Sequence, residues 1–131
     1  MKLAIEAEDS IIGIICGLLL LGLSGTFFIF KLNNIAYAAA FIIFAIFIVL
    51  DFINEIRWLA SYFKIVVFSM LHNLIALGIS LAFISRFTGW SIPYITSTIV
   101  PYLQSEQIIG WIGMFLVVTN TLWLVTMPFW S

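Results

Sequence analysis

Charge is what this chain has least of. Lys, Arg, Asp and Glu make up 8% of its 131 residues, where an ordinary soluble domain has about a quarter. The few cations are scattered, and the formal net charge is −1. Nucleic acid is therefore not an expected partner, because phosphate binding needs clustered cations. A single cysteine, Cys16, excludes an internal disulfide and any paired-cysteine motif. Inside an apolar run it is expected to pack as a small hydrophobe. A single histidine, His72, leaves a transmembrane haem without a second imidazole. Met70, Met114 and Met127 read as packing residues rather than ligands. Neither a Gly-x-Ser-x-Gly turn nor a phosphate-cradling glycine loop occurs. The expectation is a non-enzyme without a metal or cofactor.

What the chain does have is apolar length. It is 64% hydrophobic, more than a soluble fold of this size could hide. Ile35 to Leu50 passes without a charge. At 1.5 Å of rise per residue, runs of this kind reach across a hydrocarbon core of about 30 Å. Four such runs are read, at about 11–30, 35–53 (continuing towards 60), 65–84 and 108–127. The expected fold is all-α: a single transmembrane domain, a four-span antiparallel helical bundle in a lipid bilayer. The four runs differ in small-residue spacing and polar content, so no internal repeat is evident.

Along the chain, Lys2 stands against Glu6, Glu8 and Asp9. A signal peptide would want a basic start, so the first span is expected to be retained. Asp9 and Ser10 suit an N-cap, with the acids solvated and favoured by the helix dipole. Gly13, Gly17 and Ser24 fall on one face of the first span, a packing face for another helix of the same bundle. Lys31 to Asn34 reads as a tight turn. Ala36 and Ala40 offer a small-residue face on the second span. Helical spacing groups Asp51, Asn54, Glu55 and Trp58, with a turn expected near Ser61 to Lys64. On the third span, Ser69, His72, Asn73, Ala76 and Ser80 form one stripe that should face the bundle interior. Pro93 and Pro101 discourage a continuous helix between 85 and 107. That connection is expected to lie on the membrane surface with one short helix. Trp90, Tyr94, Tyr102 and Trp111 read as its aromatic belt. Gly110, Gly113 and Asn120 share a face of the last span, which Pro128 should stop and Phe129 and Trp130 should anchor. Lys2, Arg57 and Lys64 lie on one side and Lys31 and Arg86 on the other, which leans towards both termini in the cytoplasm.

Asp51 is the sharpest candidate for function, because an acid within or at the edge of a span is costly. It reads either as a proton or cation site with Glu55 one turn on, or as an interfacial acid paired with Arg57 or Lys64. His72 reads as a proton relay, or as a neutral imidazole satisfied by Ser69, Asn120 or a backbone carbonyl. Asn73 and Asn120 read first as interhelical hydrogen-bonding groups. The expected function is a small non-catalytic subunit, with a structural or assembly role among other integral membrane proteins. The alternative is a small oligomeric transporter or channel using Asp51 and His72.

Overall fold

The computed structural model describes residues 3–60 and 63–130, and side chains within 8–57, 59–60, 63–64 and 66–126. Lys2, Ser61, Tyr62 and Ser131 lie outside the described residues. So do the side chains of Glu6, Trp58, Phe129 and Trp130, with the expectations placed on them. Helices account for nearly everything described, and no strand occurs among the described residues. Four long helices, α1 (Leu3–Ser24), α2 (Asn34–Trp58), α3 (Phe63–Thr88) and α5 (Glu106–Trp130), carry the fold. A short α4 (Ile95–Thr98) and a 3-10 helix (Val100–Gln104) lie between α3 and α5.

Three of these helices are long and apolar enough to cross a membrane, over Asn34–Arg57, Val66–Thr88 and Glu106–Thr126. Among the described residues, three of the four expected spans thus meet that length and apolarity. Large apolar side chains stand exposed on every long helix, among them Ile15, Ile46, Phe68 and Leu122. A helix that is apolar all round belongs in an apolar surrounding.

The pairing of helices follows their small and aromatic residues. Gly17 of α1 backs onto the Gly113 carbonyl and the Val117 backbone of α5. Gly13 lies against Asn120, and Gly110 against Ser24. Rising numbers on α1 meet falling numbers on α5, so the two run antiparallel with backbones close together, as small residues allow. Aromatics join α2 to α3. Tyr37 stacks on Phe87 at 4.8 Å and Phe41 on Phe83 at 5.0 Å, within the range of favourable ring pairs. Between these pairs, α1 packs on α2 through Cys16, which is buried and points its thiol at the Ala40 carbonyl, 3.6 Å away.

Several boundaries differ from those expected. The first helix starts at Leu3 and ends at Ser24 instead of spanning 11–30. Asp9 and Ser10 are therefore not an N-cap but buried residues two turns inside α1. The apolar tail Phe27–Phe30 is loop because Gly25 takes φ +71° and ends the helix. Its N–H reaches the Gly22 carbonyl, and the Thr26 N–H reaches that of Leu21. That double bond pattern is the left-handed glycine cap. An added Cβ at Gly25 would find space, its nearest neighbour being Ile29 at 3.7 Å. Gly25→Ala should therefore cost only the left-handed backbone strain, about 1 to 2 kcal/mol. Thermal melting in detergent checks this, and an unchanged midpoint would show that the cap does not hold the helix end.

Asn33 caps α2, its side chain accepting the Ala36 N–H at 2.8 Å. The connection between α3 and α5 holds two short helices instead of one. It is tied down by the Ser85 hydroxyl, which donates to the Trp90 carbonyl, and by the Thr96 hydroxyl, which accepts the Ile92 N–H. Leu103 plugs the same end of the bundle. Nor does Pro128 stop the last helix, which runs to Trp130. A proline in the final turn removes one hydrogen bond, too few to break a helix already formed behind it.

Candidate functional site

Three acids converge where α1, α2 and α3 meet. Asp9 of α1 and Asp51 and Glu55 of α2 are 4%, 1% and 0% exposed. Asp51 and Glu55, one turn apart, share the α2 face that packs on α3. Opposite them the polar stripe of α3 supplies partners. The Asn73 amide donates to Asp51 Oδ2 at 2.7 Å and to Glu55 Oε1 at 3.0 Å. The Ser69 hydroxyl donates to the same Glu55 oxygen. Asn54 is buried beside them in sequence.

The carboxyls of Glu55 and Asp9 also lie within hydrogen-bonding range of Asp51. A carboxylate only accepts, so a contact between two carboxyls is a hydrogen bond only when one of them carries a proton. In a low-dielectric interior, ionised acids at such range repel strongly. The arrangement is chemically suited to holding a shared proton. It sits about 10 Å in from the end of α2, counting 1.5 Å per residue from Asp51 to Trp58.

The expected pairing of Asp51 with Arg57 or Lys64 is corrected. Arg57 and Lys64 are exposed, and the partners of Asp51 are Asn73, Glu55 and Asp9. The helix continues past Asp51 and turns the acid inward, so its partners come from neighbouring helices.

Of the α3 stripe, Ser69, Asn73, Ala76 and Ser80 are buried. His72 is half-buried and belongs to a different contact. Its Nε2 lies 3.0 Å from the Thr119 hydroxyl of α5, a partner not among those expected. Thr119 spends its own proton on the Phe115 carbonyl at 2.7 Å, so His72 Nε2 is the donor to Thr119. The imidazole lies between Phe115 and Trp123, each 6.3 Å from it between ring centres. His72 therefore joins α3 to α5 and is not part of the acid cluster. Asn120 is buried too, its amide donating to the Leu116 carbonyl of its own helix at 2.7 Å while its side chain fills the space above Gly13.

The member of the site that sequence reading placed elsewhere is Asp9. Three acids in a row of four looked like a solvated helix start. The signal that would have found it is spacing: Asp9, Gly13 and Cys16 fall at i, i+4 and i+7, on one face of a helix that begins earlier. Comparison with protein-family models, curated proteins and solved structures finds no match for this chain.

Proposed function

We propose that this chain is a four-span integral membrane protein whose Asp9–Asp51–Glu55 cluster takes up and releases protons, as the coupling site of a small transporter or channel. The observation that carries this reading is the position of Asp51, within hydrogen-bonding range of two other buried carboxyls from two helices. Intramembrane acids are expensive, and three in contact are tolerated chiefly where protons or cations move. The fourth span is α1. Its 22 residues give about 33 Å of helix, and turning Asp9 inward spares lipid one of its charges. Four antiparallel spans place the start of α1 and the end of α5 on one side. The Lys and Arg distribution favours the cytoplasm. His72 has no part in the coupling chemistry.

A second reading, a structural subunit of a larger membrane assembly, is favoured by a different observation. Three cavities among the described residues, lined by residues such as Thr26 and Trp111, Lys31 and Arg86, or Ala45 and Leu81, have none of the three acids in their walls. A sealed cluster would serve as interhelical glue.

Proteoliposomes carrying an internal pH dye separate the two. Under an imposed pH gradient the wild type should show proton flux, and Asp51→Asn should abolish it while the protein still elutes as a folded species. Only an ionisable side chain binds and releases a proton at that position. Wild-type liposomes that hold the gradient, together with stable unrelated partners after mild detergent extraction, would put the subunit reading in its place.

A further inference from the structure

We propose a second site, at the end of the bundle opposite the acids, that binds a phosphate-class oxyanion. It is a cavity of about 250 Å³ between the α1–α2 loop, the start of α2, the end of α3 and the 3-10 helix. Lys31 and Arg86 both line it, with the amides of Asn34 and Gln104, and no lining residue is acidic. This brings two of the protein's five cations to one cavity.

Arg86 is built in and not merely attached. Its guanidinium carbon lies 4.9 Å from the centre of the Phe87 ring, a stacking that holds the planar fork in place. Its Nη1 is buried and makes no hydrogen bond among the described residues. A buried cationic donor without an acceptor is costly, and an oxyanion in the cavity would supply the acceptor. Guanidinium geometry matches two phosphate oxygens at once. Lys31 adds a point charge from an exposed loop, and the two amides add neutral donors. Tyr37, in the same wall, is already committed: its hydroxyl accepts the Leu32 N–H at 3.0 Å and donates to the Phe30 carbonyl at 3.1 Å. It braces the loop that carries Lys31 and is not counted as a ligand group.

The oxyanion has two possible carriers, a phospholipid headgroup and free phosphate. A basic pocket between helices near a membrane face offers an anionic headgroup the opposite charge it needs. Trp90 and Tyr102, both exposed, belong to the same connection and suit the headgroup region.

The test is thermal melting of the full chain in a neutral detergent, titrated separately with dioleoylphosphatidylglycerol, dioleoylphosphatidylcholine and sodium phosphate at constant ionic strength. The anionic lipid or phosphate should raise the midpoint with saturation, and the zwitterionic lipid should not. A shift with phosphate alone identifies the free ion as sufficient, and a shift confined to phosphatidylglycerol identifies the headgroup. Each cation removed should weaken apparent binding about fivefold. Lys31→Gln, Arg86→Gln and the double variant should therefore form a graded series, with Lys64→Gln unchanged. Lys31 lies on an exposed loop, so its variant reports even if the Arg86 change disturbs folding. Equal shifts with both lipids, no shift with any probe, or full shifts in the Lys31 and double variants would overturn the site.

Discussion

Gly17→Leu should destabilise the protein by about 3 kcal/mol or more, because it wedges apart two backbones that touch. A Cβ at Gly17 would lie 2.7 Å from Val117 Cγ2, 2.8 Å from the Gly113 carbonyl oxygen and 3.0 Å from the Val117 nitrogen. Two of those atoms are backbone and cannot rotate away. Overfilling a packed contact typically costs about 1 to 3 kcal/mol when side chains can yield, and more when they cannot. The reciprocal position behaves alike, since a Cβ at Gly113 would meet the Gly17 carbonyl oxygen at 2.9 Å. Gly78 is the control, with nothing within 4 Å of an added Cβ. Gly78→Ala should be neutral or stabilising by up to about 1 kcal/mol, from helix propensity alone. Melting followed by tryptophan fluorescence in detergent compares the three. Equal midpoints for Gly17→Leu and wild type would mean that α1 and α5 do not meet as described.

Glu55→Leu should cost about 2 kcal/mol, and Glu55→Gln under about 1 kcal/mol. The leucine removes the acceptor shared by the Ser69 hydroxyl and the Asn73 amide. A buried donor left without a partner costs about 1 to 3 kcal/mol, and Asn73 keeps its bond to Asp51. Contacts of this kind in bilayers run towards the low end, averaging about 0.6 kcal/mol. Glutamine keeps an oxygen where Ser69 and Asn73 donate. The comparison also reports on charge. If Glu55 were ionised and held by a cation, neutralising it would strand that cation and cost about 3 to 5 kcal/mol. A near-neutral glutamine is the result expected of a carboxyl that shares a proton. A glutamine variant as unstable as the leucine variant would remove the shared-proton description of the cluster.

Four helical stretches were legible from apolar run lengths, because a run's length is a property of the chain alone, and the antiparallel order of the first two from the short turn between them. So were the inward face of α3, from the spacing of Ser69, Asn73, Ala76 and Ser80, and the shared faces of Gly13 with Gly17 and of Gly110 with Gly113. Those faces were determined by periodicity. Which helix each one meets was not, because any small-residue face accepts any other. Tertiary structure decided that α1 lies against α5, and that Asn120 fills the space Gly13 leaves.

The acid site shows the same division. Asp51 and Glu55 one turn apart are visible in the sequence, but their environment is not. Whether an acid near a helix end reaches water or turns inward depends on what stands across from it. Here α3 presents Ser69 and Asn73, and α1 presents Asp9. Reading Asp9 as a solvated cap failed because a helix boundary set by apolarity starts where lipid-compatible residues start. The hydrogen-bonded helix starts two turns earlier, at Leu3. His72 went the other way: its neighbour in sequence, Asn73, joins the acids, while a step of about 100° around the helix turns the imidazole to Thr119. Sequence determined which residues were polar and on which helix face they stood. Packing alone decided which of them touch, since contacts between helices are set by the closest approach their side chains allow.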